Sequence, residues 1–172
     1  MLPREFKLAI PYISPLDSAK NPFSYSSCAS MAMALEYLGV KPLNAGKPLE
    51  DELLDWLNDR ELSRQNPYDL VKAIKAYGCK DHFKTDATIE LVKEWIAVGN
   101  PAVIHGYFTP AGQVICVTGY TPAGFTVNDP CGQYGENGYD IAASGAGLTY
   151  SYELIDSICR IDGDLWVHFI SK

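Results

Sequence analysis

The side chains in this sequence with reactive potential are five cysteines, at positions 28, 79, 116, 131 and 159, and three histidines, His82, His105 and His168. Cys28 has the most suggestive setting. It follows Tyr25-Ser26-Ser27 and opens an apolar segment with Met31, Ala34, Leu35 and Leu38 at helical spacing, closed by Gly39. A cysteine in or near a first helical turn meets unpaired N–H groups and the positive end of the helix dipole, which favour the thiolate that a nucleophile requires. The same spacing fits a core thiol at the head of a helix, and the residues alone leave both readings open. Cys79, Cys116 and Cys159 read as ordinary buried thiols. An odd number of cysteines with no CxxC pair argues against a structural zinc site, and no metal or cofactor is expected. Asp162-Gly163-Asp164 is too short for a calcium loop and reads as a turn.

The elements that must position these groups change character along the chain. The first half reads as helical: after the Cys28 segment come Leu49 to Leu62, a helix capped by Asn66-Pro67 that carries Leu70, Val71, Ile74 and Tyr77, and a fourth marked by Ile89, Val92 and Ile96. From Ala102 the pattern shifts to short β-rich runs: Ala102 to Phe108, Val114 to Tyr120, Phe125 to Asn128 and Leu165 to Ile170. Two similar turns, Thr109-Pro110-Ala111-Gly112 and Thr121-Pro122-Ala123-Gly124, join the first three of these into an expected meander. Helices followed by strands predict an α+β fold, with a mostly antiparallel sheet packed on an N-terminal helical layer, over 1–172 as one domain. The Gly-rich stretch 132–147 is expected to be a long functional loop.

Fourteen Lys and Arg against 21 Asp and Glu give a net charge of -7. With no basic cluster, neither nucleic acid nor an anionic membrane is an expected partner. No apolar run approaches the length of a membrane span, and the first residues lack a signal-peptide pattern. A cytoplasmic location, or release without Sec export, is the expectation.

Several ordered motifs together resemble a known family. Ile10-Pro11-Tyr12-Ile13-Ser14, Asn21-Pro22 and Ser27-Cys28-Ala29-Ser30-Met31-Ala32-Met33 ahead of Leu38-Gly39 are similar to the nucleophile region of the papain-like, bacteriocin-processing (C39-like) cysteine peptidases, which include phage and cell-wall-associated members. Pro101 to Thr109, Val117-Thr118-Gly119-Tyr120 and Val127-Asn128-Asp129-Pro130-Cys131-Gly132 resemble that family's strand–turn–strand signature. Leu148-Thr149-Tyr150-Ser151 and Trp166-Val167-His168-Phe169 also have counterparts, so the likeness spans nearly the whole chain.

The resemblance implies a cysteine nucleophile, a histidine base, an Asp or Asn that orients it, and a glutamine that helps bind the oxyanion. Cys28 matches the nucleophile and Asp129 the orienting residue. Gln113, in Gly112-Gln113, stands where the base belongs, and an amide takes no proton near neutral pH. Pro15, in Ser14-Pro15-Leu16-Asp17, stands where the glutamine belongs and has no donor to offer. His105, on the strand ahead of Gln113, is the remaining candidate base, against a structural role. His82 reads as a surface residue between helices and His168 as packing. Cys131 takes a position often aromatic in the family, and a Cys28–Cys131 disulfide is not expected. The loop 132–147 would border the groove, with Tyr134 and Tyr139 as exposed anchors or solvated aromatics. The expectation is therefore a degenerate peptidase retained to bind a peptide, a peptidoglycan stem peptide or another protein of an assembly. The alternative is an active hydrolase using Cys28.

Overall fold

The structure is a computed structural model, and it describes residues 1–14 and 21–172. Pro15, with the Leu16-Asp17 that follows it, lies outside the described residues.

After a two-residue strand β1 (Phe6–Lys7) the chain enters helix α1 (Pro22–Tyr37). Asn21 caps it, its side chain accepting the Phe23 N–H, and Pro22 occupies the first turn, where a missing N–H costs nothing. The helix is buried without interruption from Ser26 to Leu35, as suits a helix covered on all sides. Two amphipathic helices follow, α2 (Leu49–Asp59) and α3 (Pro67–Ala76), the latter capped by Asn66 as expected. Then come strand β2 (Lys80–Ala87), helix α4 (Ile89–Ala97) and the strands β3 (Ala102–Gly106), β4 (Gln113–Thr121) and β5 (Gly124–Asn128). The last third holds a small hairpin, β6 (Gln133–Gly135) with β7 (Gly138–Asp140), then β8 (Leu148–Ser151), helix α5 (Tyr152–Cys159) and β9 (Leu165–Ser171).

The main sheet runs β2-β9-β3-β4-β5-β8, with β1 beside β4, and every pairing is antiparallel. The β3-β4-β5 meander is as expected, and the α+β fold is confirmed. Because side chains alternate across a strand, the sheet builds two cores. One face, with Ile104, Ile115 and Val117, packs with Val92 and Ile96 of α4 and Ile155 of α5. The other, with Val103, Val114, Cys116 and Ile170, packs with α1, α2 and α3. Among the described residues no helix is long and apolar enough to cross a membrane.

Three departures from the sequence-based expectations concern the site. Helix α1 begins six residues before Cys28, so Cys28 lies in its second turn and not at its head. His82 is exposed and lies between α3 and α4, as expected, but within a strand, β2, that the sequence did not announce. The stretch 132–147 is partly a hairpin, and α5 follows it in the half of the chain where no helix was expected. All five cysteines are free and buried, so no disulfide joins Cys28 to Cys131.

Candidate functional site

Helix α1 is fixed to β4 by two serines one turn apart. Ser30 Oγ donates to the Val114 carbonyl at 2.9 Å, and Ser26 Oγ accepts the Val114 N–H at 3.3 Å. The ladder from β5 begins only at Cys116, so α1 takes up backbone groups at the open end of β4. That contact sets the start of α1 beside Gln113.

Gln113 is buried, donating from Nε2 to Thr109 Oγ1 at 2.9 Å and accepting at Oε1 from the Cys131 thiol at 3.5 Å. The same thiol lies 3.5 Å from the Pro22 carbonyl. Cys131 therefore fills the space between the first turn of α1, Gln113 and Asp129. Burial, and after it the Asp129 charge, push its thiol well above the ordinary range. It is a packing and hydrogen-bonding group, not an activated nucleophile.

Asp129 is fully buried at the end of β5 and has all its partners nearby. Oδ2 accepts from Tyr150 at 2.6 Å and Tyr139 at 3.0 Å, while Oδ1 accepts the Cys131 N–H at 3.0 Å. Its backbone N–H donates to Gly145 at 2.8 Å, and its carbonyl accepts from Tyr12 at 2.9 Å. A Cβ at Gly145 would collide with that carbonyl, so only glycine permits this approach. Burial raises the Asp129 carboxyl to about 6, partly opposed by Tyr150, Cys131 and Tyr139. In this arrangement the carboxylate orients tyrosines and a loop, and its hydrogen bonds go to those groups, not to Gln113.

Cys28 lies elsewhere. It is 1% exposed and clusters with the helical core of α2 and α3. Desolvation raises its thiol to about 12, with Ser27 opposing. The structure brings Asp129, Cys131 and Gln113 together at the start of α1 and leaves Cys28 out of that group. The expected thiolate setting depended on Cys28 opening the helix, and the Asn21 cap moves that opening six residues upstream.

A pocket opens on the other side of Gln113, lined by Ser24, Ser26 and Ser27 of α1, Gln65, His105 and Trp166, among others. Ser26 is the α1 residue that both lines this pocket and touches the strand of Gln113. Sequence reasoning passed over it, although Asn21-Pro22 carries the same cap-and-proline signal as Asn66-Pro67 and would have placed the helix start correctly. Tyr134 and Tyr139 are half-buried, their rings packed on Phe108, so neither is an exposed anchor. No residue of 132–147 lines the pocket.

Residues 7–157 match the model of the family described as "Peptidase_C39 like family". The chain belongs to the C39-like peptidase family. Its solved structural neighbours agree on the fold. A putative C39-like peptidase from Bacillus anthracis superimposes with a TM-score of 0.70 at 15% identity, covering 99% of each chain. A double-glycine-motif protease from an AMS/PCAT transporter, in complex with its leader peptide, gives 0.61 at 19% identity over 94% of this chain and 91% of that one. The peptidase domain of Streptococcus ComA, a bifunctional ABC transporter of a quorum-sensing pathway, gives 0.59 at 15% identity over 96% and 98%. Comparison with curated proteins finds no match. This C39-like chain thus has the expected papain-like fold, with Gln113 and a fully engaged Asp129 beside the first turn of its central helix.

Proposed function

We propose that this C39-like chain is a degenerate cysteine peptidase that binds a peptide without cleaving it. The observation that carries the reading is the placement of Gln113, an amide held between Thr109 and the Cys131 thiol where the family resemblance calls for a base. An amide cannot accept the nucleophile's proton, and removing a triad base costs several orders of magnitude in rate. Ser26 adds to it. The groove-facing position of α1 is a hydroxyl already accepting a backbone N–H, while the one nearby helical thiol, Cys28, sits in the core.

The alternative, an active hydrolase with Cys28 as nucleophile, requires that thiol to reach a substrate carbonyl, and its burial among α2 and α3 counts against it. Peptide as ligand class is supported by the AMS/PCAT protease, whose structure holds a leader peptide. The peptidoglycan stem peptide and a phage-particle or cytoplasmic setting belong to the same proposal. Pro15 in the place of the oxyanion glutamine is a further part of it.

The test is incubation of the purified chain with a random peptide library, reading capture and cleavage in one mass-spectrometric experiment. Capture of intact peptides, lost in Ser24→Trp where the pocket is blocked, is the expected result. Turnover that disappears in Cys28→Ala would return the chain to the active enzymes.

A further inference from the structure

The pocket beside Gln113 ends on a buried polar chain that spans three strands. His105 of β3 lines the pocket. Its Nε2 lies 2.8 Å from Nε2 of His168 on β9, whose Nδ1 lies 2.7 Å from Oδ2 of Asp81 on β2. The register builds this line, since β9 runs between β2 and β3 and His168 pairs with Phe83 on one side and Val103 on the other. Phe83 covers it, with ring centroids 4.5 Å from His168 and 5.9 Å from His105. The side chains of His168 and Asp81 are fully buried.

Protons can be assigned by requiring that this buried chain carry no net charge and that the His105 ring, held neutral by burial, itself be uncharged. The proton between Asp81 and His168 sits either on the carboxyl or on Nδ1. In both cases His168 donates from Nε2 to His105 Nε2, and the His105 proton is on Nδ1. The opposite tautomer, with His105 protonated at Nε2, makes His168 a neutral acceptor there and leaves the Asp81 carboxylate as an unbalanced buried charge. That is costly, the more so because Asp81 Oδ1 is a buried polar atom with no partner among the described residues. His105 Nδ1 also has no protein partner among the described residues, yet it is not one of the buried orphans, so it keeps some exposure on a residue that lines the pocket.

We propose that His105 Nδ1–H is a hydrogen-bond donor that anchors a carbonyl oxygen of the ligand in this pocket. The ligand class, a main-chain carbonyl of an extended peptide, rests on the peptide-binding reading above. Burial and then the neighbouring His168 hold His105 down to about 3, so the ring meets the ligand neutral. A neutral imidazole polarises a carbonyl without needing a desolvated cation. Arg64 shares the pocket with Asp162 and Asp164, so a neutral acceptor suits it better than a carboxylate. Asp81 and His168 are positioning residues that set the tautomer, and His105 touches the ligand.

The experiment is nitrogen-15 NMR of the histidine rings in the full chain, followed by titration with N-methylacetamide and, separately, n-butylammonium. A proton on His105 Nδ1 is expected, moved downfield saturably by N-methylacetamide and not by n-butylammonium. His105→Phe abolishes that saturable binding, and His105→Gln, which keeps an N–H donor, restores it to within about tenfold. An Nε2-protonated or doubly protonated His105 in the wild-type chain overturns the assignment, as does an equal shift with n-butylammonium, and neither depends on a variant folding. If N-methylacetamide binds but no library peptide does, the peptide-binding reading fails and the donor stands. If peptides bind while His105 carries its proton on Nε2, the donor fails and the reading stands.

Discussion

At the scale of single residues, the site turns on what each polar group is already bonded to. Asp129 has the acid that a triad needs but spends it on Tyr139, Tyr150 and the Cys131 N–H. Its carboxyl is raised from 3.8 to about 6 by burial, so the folded chain holds this proton more tightly than the unfolded one. The corresponding stability is fully present below pH 3.8 and is lost as the pH rises through about 6. Asp129→Asn should remove that fall, on the order of 3 kcal/mol, from the difference between wild-type and variant denaturant unfolding measured from pH 3 to pH 7. A wild-type-minus-variant difference that is flat with pH contradicts the buried, protonatable carboxyl. Gln113→His places an imidazole where the family resemblance calls for a base, yet no cleavage should appear in a peptide-library assay, because Cys28 packs in the core with α2 and α3. Cys28→Ala should cost about 1–2 kcal/mol in unfolding free energy, as the loss of a small buried side chain, and should leave peptide capture unchanged.

At the scale of elements, helix α1 decides which side chains reach the groove, and its first residues decide where it starts. Asn21→Ala removes the cap on Phe23 N–H and should cost about 1 kcal/mol in denaturant unfolding. The α+β order, the helices α2, α3 and α4, and the β3-β4-β5 meander were legible because apolar periodicity and turn residues agree there with the final packing. The start of α1 was also legible in Asn21-Pro22, but the polar run Phe23-Ser24-Tyr25-Ser26-Ser27 hid it from a reading based on apolar spacing. Strand β2 was not legible: Lys80-Asp81-His82-Phe83-Lys84 has the charge of a surface loop and becomes a strand only by pairing with β9. Its alternation then turns Asp81 inward to His168 while Lys80 and His82 stay exposed, a pattern that also blunts the sheet edge. The His105–His168–Asp81 line had no signal in the sequence, since its members lie on three strands brought together by β9 inserting between β2 and β3.

At the scale of the whole molecule, two cores on opposite faces of one sheet hold the groove between the start of α1 and the open end of β4. The fold of a C39-like peptidase is kept, while its thiols are all drawn into the interior. Burial raises Cys28, Cys116 and Cys159 each to about 12, Cys131 higher still, and Cys79 in the same direction, so no thiol of the native chain is held as a thiolate near neutrality. The measurement that tests this most directly is the rate of alkylation of Cys28 in the native chain from pH 5 to pH 9, located by peptide mapping. The expected result is slow modification that rises only toward the alkaline end and becomes fast only when the chain is unfolded. A fast, thiolate-like rate at Cys28 persisting below pH 7 would mean an activated nucleophile, and would contradict the reading of this chain as a peptidase fold without a working site.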